Sequence, residues 1–383
     1  MELNKAKFSS FVPERLKEGR EARGLTLMEL AEFLEISHQA VSKYEKGKNV
    51  PTSEILEKIT NALELPLSFF LKPTSSLTEE VVFFRSRAAA TVKSKKIHSY
   101  RINWLSDIHK YLEEILDFPK LTLPRYIDDN KYSPINFEEI DELAMDLRKR
   151  WGLGNGPISN VLLLLEKQGI IISKTNLSDI KIDACSKWKR LERPYILLGN
   201  QTSSACRTRF DLAHELGHLV LHANLDKSEF NKKDNYTQIE KEANRFASAF
   251  LLPEPTFAQE VYSNSLEHFI SLKERWNVSI AAMLYRAEQL DILSEYQVQY
   301  LRKKMAYNNM RTKEPLDDVL PLEKPAALRQ AIELIIENNV KTKQDLIYEI
   351  GFLREEIEEL ANLDPFFLLE EKENTNVVKL TFK

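Results

Sequence analysis

Two histidines and a glutamate stand at helical spacing in the middle of this 383-residue chain. His214, Glu215 and His218 form an H-E-x-x-H motif. Residues four apart lie on one face of a helix, about one turn from each other, so both imidazoles can reach one metal ion. A glutamate beside that metal can take a proton from a bound water. The motif therefore predicts a zinc ion, Zn²⁺, and hydrolytic chemistry in which Glu215 is the base.

The residues around the motif predict a buried helix. Apolar side chains recur through residues 209–222 at helical spacing, and two histidines in a buried helix need partners, which a metal would supply. Gly217 is a poor helix former, and a small residue there lets another element, such as a neighbouring strand, approach the helix closely. The alternative is an exposed helix that carries two histidines and a glutamate by coincidence.

A zinc site needs a third protein ligand. His222 is eight residues from His214, about 12 Å along an unbroken helix, which is too far for one zinc with bonds of about 2 Å. We therefore expect His222 at the helix end or beside the ligands. A second predicted helix, residues 237–252, carries Glu240 and Glu242 on opposite sides of its apolar stripe. Periodicity alone does not choose between these two carboxylates.

A family resemblance does choose between them. The string R-F-D-L-A-H-E-L-G-H-L-V-L-H (209–222), followed by E-A-N-R-F-A (242–247) and L-L-P (251–253), resembles the ImmA/IrrE family of zinc metallopeptidases. The resemblance covers roughly residues 135–290. It implies that His214, His218 and Glu242 bind the zinc and that Glu215 is the catalytic base. It also implies that the substrate is a repressor that controls mobile-element, stress or defence genes.

The first 70 residues contain short helical patterns with capping residues. Thr26 and Ser37 can cap helices over 27–34 and 38–46, separated by a short turn, which indicates a helix-turn-helix. The string from Gly24 to Gly47 resembles the phage-repressor-like (Cro/C1-type) helix-turn-helix family. That resemblance implies a homodimer on operator DNA, with the third helix in the major groove. The residues placed to meet bases or phosphates are Ser37, His38, Gln39, Ser42 and Lys43.

Charge does not by itself support DNA binding. Residues 1–70 contain 10 Lys and Arg against 11 Asp and Glu, and the whole chain has a net charge of −4. No global field therefore draws the chain to nucleic acid, and any DNA contact depends on a local surface. Lys43, Lys46 and Lys48 supply such a surface at the end of the third helix. The alternative is a domain that serves only dimerisation or protein docking.

Composition and length predict an α+β, mostly helical protein of several domains. Hydrophobic content of 43%, with only 10 glycines, fits a helix-rich globular chain. Cys185 and Cys206 are isolated thiols that suit a reducing cytoplasm. We find neither a signal-peptide core nor an apolar run of 18 residues, so the expected location is cytoplasmic.

The predicted domains are an all-α helix-turn-helix domain over 1–71, a linker and helical connector over 72–134, a zincin-like peptidase domain over 135–310, and a helical tail over 311–383. The peptidase domain should contain a small sheet with strands near 169–173, 181–188 and 194–199. Within the connector, an apolar run at 81–84 precedes a basic stretch to residue 101. This segment is a solvated connector, an arm for the DNA backbone, or the segment that is cut. The tail should hold helices over 326–338 and 342–363, with a candidate break of the second at Gly351, and a strand over 377–382.

Two functional hypotheses follow. In the first, the protein is a DNA-binding regulator with a zinc endopeptidase domain that cuts a repressor, which is either this chain or a partner. The residues that could stabilise the oxyanion of the reaction are Tyr195, Tyr236, Tyr262, Arg245 and His268. In the alternative, the protein is a one-component transcription regulator, or an antitoxin, whose peptidase-like domain senses a ligand or binds a partner without proteolysis.

Overall fold

The structure is a computed structural model that describes residues 11–74, 82–86, 91–175, 182–188, 192–199, 204–230 and 232–370. The chain divides into two compact units. Residues 1–74 and 329–383 belong to the first unit, and residues 75–328 form the second. Among the described residues, no helix is long and apolar enough to cross a membrane.

The first unit begins with four short helices, of which the second and third were predicted from capping residues. They are α1 (Pro13–Ala22), α2 (Leu27–Leu34), α3 (His38–Glu45) and α4 (Ser53–Leu63). The side chains of Thr26, Ser37 and Thr52 accept hydrogen bonds from backbone N–H groups in the first turns of α2, α3 and α4. Each cap supplies a partner to an N–H group that the helix cannot satisfy. The predicted helix-turn-helix is therefore confirmed in position and length.

A buried ion pair connects α1 to α3. The Nε and Nη2 atoms of Arg20 donate to the two carboxylate oxygens of Glu45 at 2.6 and 3.0 Å, and Nη1 donates to the carbonyl of Leu25 at 2.7 Å. Both side chains are largely buried. A bidentate Arg–carboxylate contact fixes the relative orientation of the two side chains as well as their distance. It therefore holds α3 in one position against α1.

The second unit contains a small sheet and ten helices in its described residues. The strands are β1 (Val82–Ser86), β2 (Ile171–Thr175), β3 (Ile182–Lys187) and β4 (Tyr195–Gly199). The helices are α5 (Val92–Glu113), α6 (Phe137–Arg150), α7 (Val161–Lys167), α8 (Ala205–Leu221), α9 (Lys227–Phe230), α10 (Lys233–Leu251), α11 (Glu254–Glu260), α12 (Leu266–Trp276), α13 (Ile280–Gln289) and α14 (Glu295–Tyr307). The predicted fold class, α+β and mostly helical, is confirmed.

The sheet has the order β1-β3-β4-β2. Strand β2 is parallel to β4, whereas β3 is antiparallel to both β4 and β1. The sequence predicted β2, β3 and β4 but treated residues 82–86 as part of a connector. They form an edge strand because their backbone pairs with β3, about 100 residues further along the chain, and local pattern cannot report such a distant partner.

The connector is structured over most of its length. Helix α5 begins at Val92, where Thr91 caps it, and packs against β3 and β4. After α5, the backbone N–H groups of Thr122 and Tyr126 donate to the carbonyls of Gln168 and Val220. Residues 75–134 therefore join the second unit, whereas the sequence-based boundary placed the start of the peptidase domain at 135.

The tail returns to the first unit from residue 329 onward. Its helices are α15 (Ala327–Glu337), α16 (Lys343–Ile350) and α17 (Arg354–Leu360), and Gly351 ends α16 with a left-handed φ of 80°. Arg23, the C-cap residue of α1, pairs with Glu356 at 3.1 Å, and the rings of Phe69 and Phe352 lie 5.8 Å apart. Helix α17 and the residues just before it thus contact the helix-turn-helix domain. The predicted strand at 377–382 lies outside the described residues.

Candidate metal centre

The H-E-x-x-H motif lies in the last two turns of α8. Ser204 caps this helix, and His214, Glu215 and His218 are all buried. The Nε2 atoms of His214 and His218 lie 3.1 Å apart and so face the same point. Two imidazole nitrogens at this separation, inside a protein, need a shared partner.

Glu240 of α10 completes a three-residue cluster. Its carboxylate oxygens lie 3.6 Å from Nε2 of His214 and 3.3 Å from Nε2 of His218. Tetrahedral ligands with zinc bonds of about 2.1 Å are about 3.4 Å apart, so these separations fit zinc. Among the described residues, this is the group of His and carboxylate side chains whose donor atoms lie within 4.8 Å of one another. The Glu240 side chain is 24% exposed, which leaves one side of the cluster open.

The structure does not bring Glu242 to the two histidines. Its Oε2 lies 2.9 Å from Nε2 of His222, and its Oε1 accepts hydrogen bonds from the Tyr132 hydroxyl at 2.6 Å and the Ile135 N–H at 3.1 Å. Residues two apart on a helix point about 200° apart, so Glu240 and Glu242 cannot both face the pair. The family resemblance had indicated Glu242, and this geometry differs from that expectation.

His222 occupies the place that helix geometry predicted for it. It is the C-cap residue of α8, and its Nδ1 lies 3.1 Å from Nδ1 of His218. Burial lowers the pKa of His222 to about 4, so its ring is neutral at pH 7. It therefore contacts a ligand candidate and is not part of the converging cluster.

Glu215 is held by a residue that the sequence analysis missed. The hydroxyl of Ser186, on β3, donates to Oε2 of Glu215 at 2.5 Å, and both side chains are fully buried. Burial raises the pKa of the neighbouring Cys185 thiol, and the charge of Glu215 raises it further, so that thiol is protonated and unreactive. A serine in a predicted strand carries no signal of such a contact, because the contact depends on how β3 packs against α8.

Glu240 presents a carboxylate oxygen to each of the two histidine nitrogens. An ionised carboxylate beside two imidazoles is the donor set that zinc prefers. The residues present therefore fit a zinc ion.

Of the five candidates for oxyanion stabilisation, Tyr236 is the one that the structure relates to this cluster. It lies one turn before Glu240, and burial, followed by the charges of Glu240 and Glu215, raises its pKa to about 12. The others make contacts elsewhere. Tyr195 contacts His109, Arg245 pairs with Asp141, and Tyr262 and His268 contact each other.

Gly217 allows α8 and α10 to approach each other. A Cβ atom at this position would lie 3.2 Å from both Cα and O of Ala243 and 3.3 Å from Cβ of Phe246. The sequence predicted a close approach here by an element such as a strand, and the element is helix α10. This approach sets the distance between His218 on one helix and Glu240 on the other.

We expect Gly217→Val to force these helices apart and so weaken zinc binding. Overpacking of this kind typically costs about 1–3 kcal/mol of stability, measurable by urea unfolding of the zinc-free protein. Gly156→Val is the matched control, because a Cβ at Gly156 meets nothing within 4 Å. Unchanged stability and zinc affinity in Gly217→Val would contradict the role assigned to this contact.

The candidate DNA contacts lie on α3 and at its N-cap. Ser37 caps this helix by accepting from the Ala40 N–H at 3.2 Å, which leaves its hydroxyl at the surface. His38, Gln39 and Lys43 are exposed, and Ser42 is half-buried. The inward face of the helix is occupied by the fully buried Val41. The exposed Lys46 and Lys48 follow.

Known protein families match both the helix-turn-helix region and the region that contains the candidate metal centre. Residues 16–70 match the helix-turn-helix family, and residues 165–288 match the IrrE N-terminal-like domain of peptidase family M78. The chain therefore contains a helix-turn-helix domain followed by an IrrE-like domain.

Individual relatives are similar over a shorter region. The SPbeta prophage-derived uncharacterized HTH-type transcriptional regulator YonR of Bacillus subtilis is 41% identical over 61 residues, which are 16% of this chain and 56% of that protein. The transcriptional regulator ClgR of Mycobacterium tuberculosis is 38% identical over 60 residues, 16% of this chain and 54% of its own. The chain thus spans about half the length of these relatives. A solved Mycobacterium tuberculosis transcriptional regulator is similar over 48% of this chain and 51% of that chain, with 16% identity and a TM-score of 0.30.

Proposed function

We propose that this protein is a DNA-binding transcriptional regulator whose IrrE-like domain is a zinc endopeptidase that cuts a repressor. The observation that carries the proposal is the convergence of His214, His218 and Glu240, with Glu215 next to His214 in α8. A site that only stabilised the fold would have no need of Glu215, because this glutamate is not one of the converging ligands. The substrate is either this chain or a separate regulator.

The residues of the cluster and their neighbours would have different roles in hydrolysis. The two Nε2 atoms and the Glu240 carboxylate would hold the metal. When bound, zinc would polarise a peptide carbonyl and lower the pKa of water to about 7. Glu215 accepts the proton of the attacking water and then delivers it to the leaving amine as the C–N bond breaks. Ser186 holds the Glu215 carboxylate in place, and Tyr236 is the candidate donor to the developing oxyanion.

The test of proteolysis uses metal removal. The purified full chain is incubated with zinc, with a chelator, and with the chelator followed by excess zinc, each with and without double-stranded DNA, and intact masses are recorded. We expect fragments only in the zinc samples. Fragments that persist after chelation would overturn a zinc mechanism. Absence of fragments in every sample, including those with added candidate repressors, would support the regulator or antitoxin that acts without proteolysis.

The structure narrows the expected self-cleavage site. Peptidases cut exposed, non-helical backbone more readily than packed helices. Because Val82–Ser86 pairs with β3 and α5 is helical from Val92 onward, we expect self-cleavage outside these two elements. A cut inside α5 would require that helix to unfold first.

For the helix-turn-helix domain we propose binding of a homodimer to operator DNA in the cytoplasm. Support comes from the exposed polar side chains that α3 presents together, with Lys43, Lys46 and Lys48 at its end. Glutamine can read adenine through two hydrogen bonds, and lysine contacts guanine or phosphate. The half-site spacing of such a dimer should be about one helical turn of DNA.

We expect Gln39→Ala and Lys43→Ala to affect DNA binding in different ways. Sites selected in vitro from random duplexes should show altered base preference for Gln39→Ala, worth about 1–3 kcal/mol at one position. Lys43→Ala should weaken binding to all sequences if it contacts phosphate, with a shallower salt dependence. Lys17→Ala makes the same charge change at an exposed position of α1 and serves as control. Selection of identical sites with equal affinity by all three variants would exclude α3 as the reading helix.

A further inference from the structure

A chain of buried hydrogen-bonding groups leads from His218 to the segment before α6. Nδ1 of His218 lies 3.1 Å from Nδ1 of His222, and Nε2 of His222 lies 2.9 Å from Oε2 of Glu242. The other Glu242 oxygen accepts from Tyr132 and Ile135. His218, His222 and Glu242 are each at most 1% exposed, so solvent does not compete for these contacts.

The direction of each hydrogen bond in this chain follows from chemistry. An ionised carboxylate only accepts, so Nε2 of His222 must carry the proton that it shares with Glu242. A neutral His222 that donates from Nε2 carries no proton on Nδ1, so its Nδ1, 3.1 Å from Nδ1 of His218, is an acceptor. Nδ1 of His218 must then donate to it. A neutral His218 with its proton on Nδ1 has its lone pair on Nε2, the atom that faces His214 and Glu240.

His214 is oriented in the same way by a second residue of the E-A-N block. Nδ2 of Asn244 donates to the backbone carbonyl of Glu240 at 2.7 Å, which fixes the amide so that Oδ1 faces Nδ1 of His214 at 3.1 Å. An amide oxygen only accepts, so His214 also carries its proton on Nδ1. Both lone pairs consequently point into the cluster.

We propose that Glu242 is a positioning residue for the metal centre: it acts through His222 to set the tautomer of His218. Asn244 is the positioning residue that sets the tautomer of His214. This proposal deepens the proposed function and rests on its metal site. It assigns different tasks to the two carboxylates of α10. Glu240 faces the metal, and Glu242 determines which ring nitrogen of His218 can bind it. Partners of ligating histidines typically contribute 10–100-fold in metal affinity.

Glu242→Gln should reverse the donor and acceptor roles in the hydrogen bonds that connect residue 242 to His218 through His222. The amide oxygen is needed by the Ile135 N–H, so the amide NH₂ group faces Nε2 of His222. That nitrogen must then accept, which moves the His222 proton to Nδ1 and makes Nδ1 of His218 an acceptor. His218 is left with its proton on Nε2, the nitrogen that should bind zinc. The alternative amide orientation places two donors against each other at Ile135.

The experiment reads the tautomer directly. The zinc-free full chain, labelled with ¹⁵N in its histidine rings, is studied by NMR as wild type and as Glu242→Gln. We expect the proton of His218 on Nδ1 in the wild type and on Nε2 in the variant. Zinc affinity, measured by competition with a chromophoric chelator, should fall by about 10–100-fold in the variant. Tyr132→Phe is the matched control, because it removes a donor to Glu242 but leaves the Glu242–His222 contact, so affinity should stay near the wild-type value.

A double-mutant comparison separates positioning from direct ligation. His222→Phe should weaken zinc binding about as much as Glu242→Gln, and the double variant should lose no more than either. Additive losses, or full affinity in His222→Phe, would show that Glu242 acts on the metal without His222 and would overturn the proposal. The Co²⁺ absorption spectrum should keep its shape in all three, because the ligands themselves are unchanged. A wild type with no zinc affinity would instead overturn the proposed function.

Discussion

Glu215→Gln is expected to leave zinc bound and to abolish peptide-bond hydrolysis. Glutamine keeps the shape of the side chain and can still accept the hydrogen bond from Ser186, so the surroundings of α8 should not change. It cannot accept a proton from water or return one to the leaving amine. Loss of a general base typically costs about 10²–10⁴-fold in rate, and here one residue provides both proton transfers, so the loss should lie at the upper end.

The measurement is the rate of fragment formation by intact mass, together with zinc content. Glu274→Gln makes the same change on an exposed position of α12 and should cleave at the wild-type rate. Cleavage by Glu215→Gln at a rate within about tenfold of the wild type would exclude Glu215 as the base. Loss of zinc from this variant would instead mean that Glu215 belongs to the ligand set.

Glu240→Gln is expected to have the largest effect on zinc affinity. Its carboxylate lies 3.3–3.6 Å from the two histidine nitrogens, and a neutral amide is a much weaker zinc ligand than an ionised carboxylate. We expect a loss of more than about 100-fold, which exceeds the range for residues that only orient ligands. The order of affinity loss should therefore be Glu240→Gln, then Glu242→Gln, then Tyr132→Phe.

Chelator competition at fixed pH measures this order, and the Co²⁺ spectrum adds an independent readout. Loss of a carboxylate ligand should change the shape of the spectrum, whereas loss of an orienting partner should not. If Glu242→Gln changes the spectrum and Glu240→Gln leaves both spectrum and affinity as in the wild type, then Glu242 is the third ligand, as the family resemblance implied. Glu242, and not Glu240, would then face the two histidines in the zinc-bound protein.

Elements that depend on neighbouring residues in the chain were predictable. The caps Thr26 and Ser37 lie three residues before the N–H groups that they satisfy, so the helix-turn-helix could be located without tertiary information. The break of the tail helix at Gly351 is local in the same sense. Strand β1 was missed because its partner β3 is distant in sequence, and the contact of the tail with α1 was missed because Arg23 and Glu356 are 333 residues apart.

The sequence by itself identified His214, His218 and Glu215 as the candidate ligands and base, because a spacing of four places the two histidines on one face of a helix. It also determined that His222 lies beyond the reach of a common metal. Only the tertiary structure shows that Glu240, and not Glu242, faces the two histidines. This depends on how α10 is rotated against α8, and the close approach of Gly217 to Ala243 sets that packing. The same packing places Ser186 against Glu215 and aligns His222 with Glu242. Such contacts join residues whose separation in the chain carries no periodic signal, so physical proximity alone reveals them.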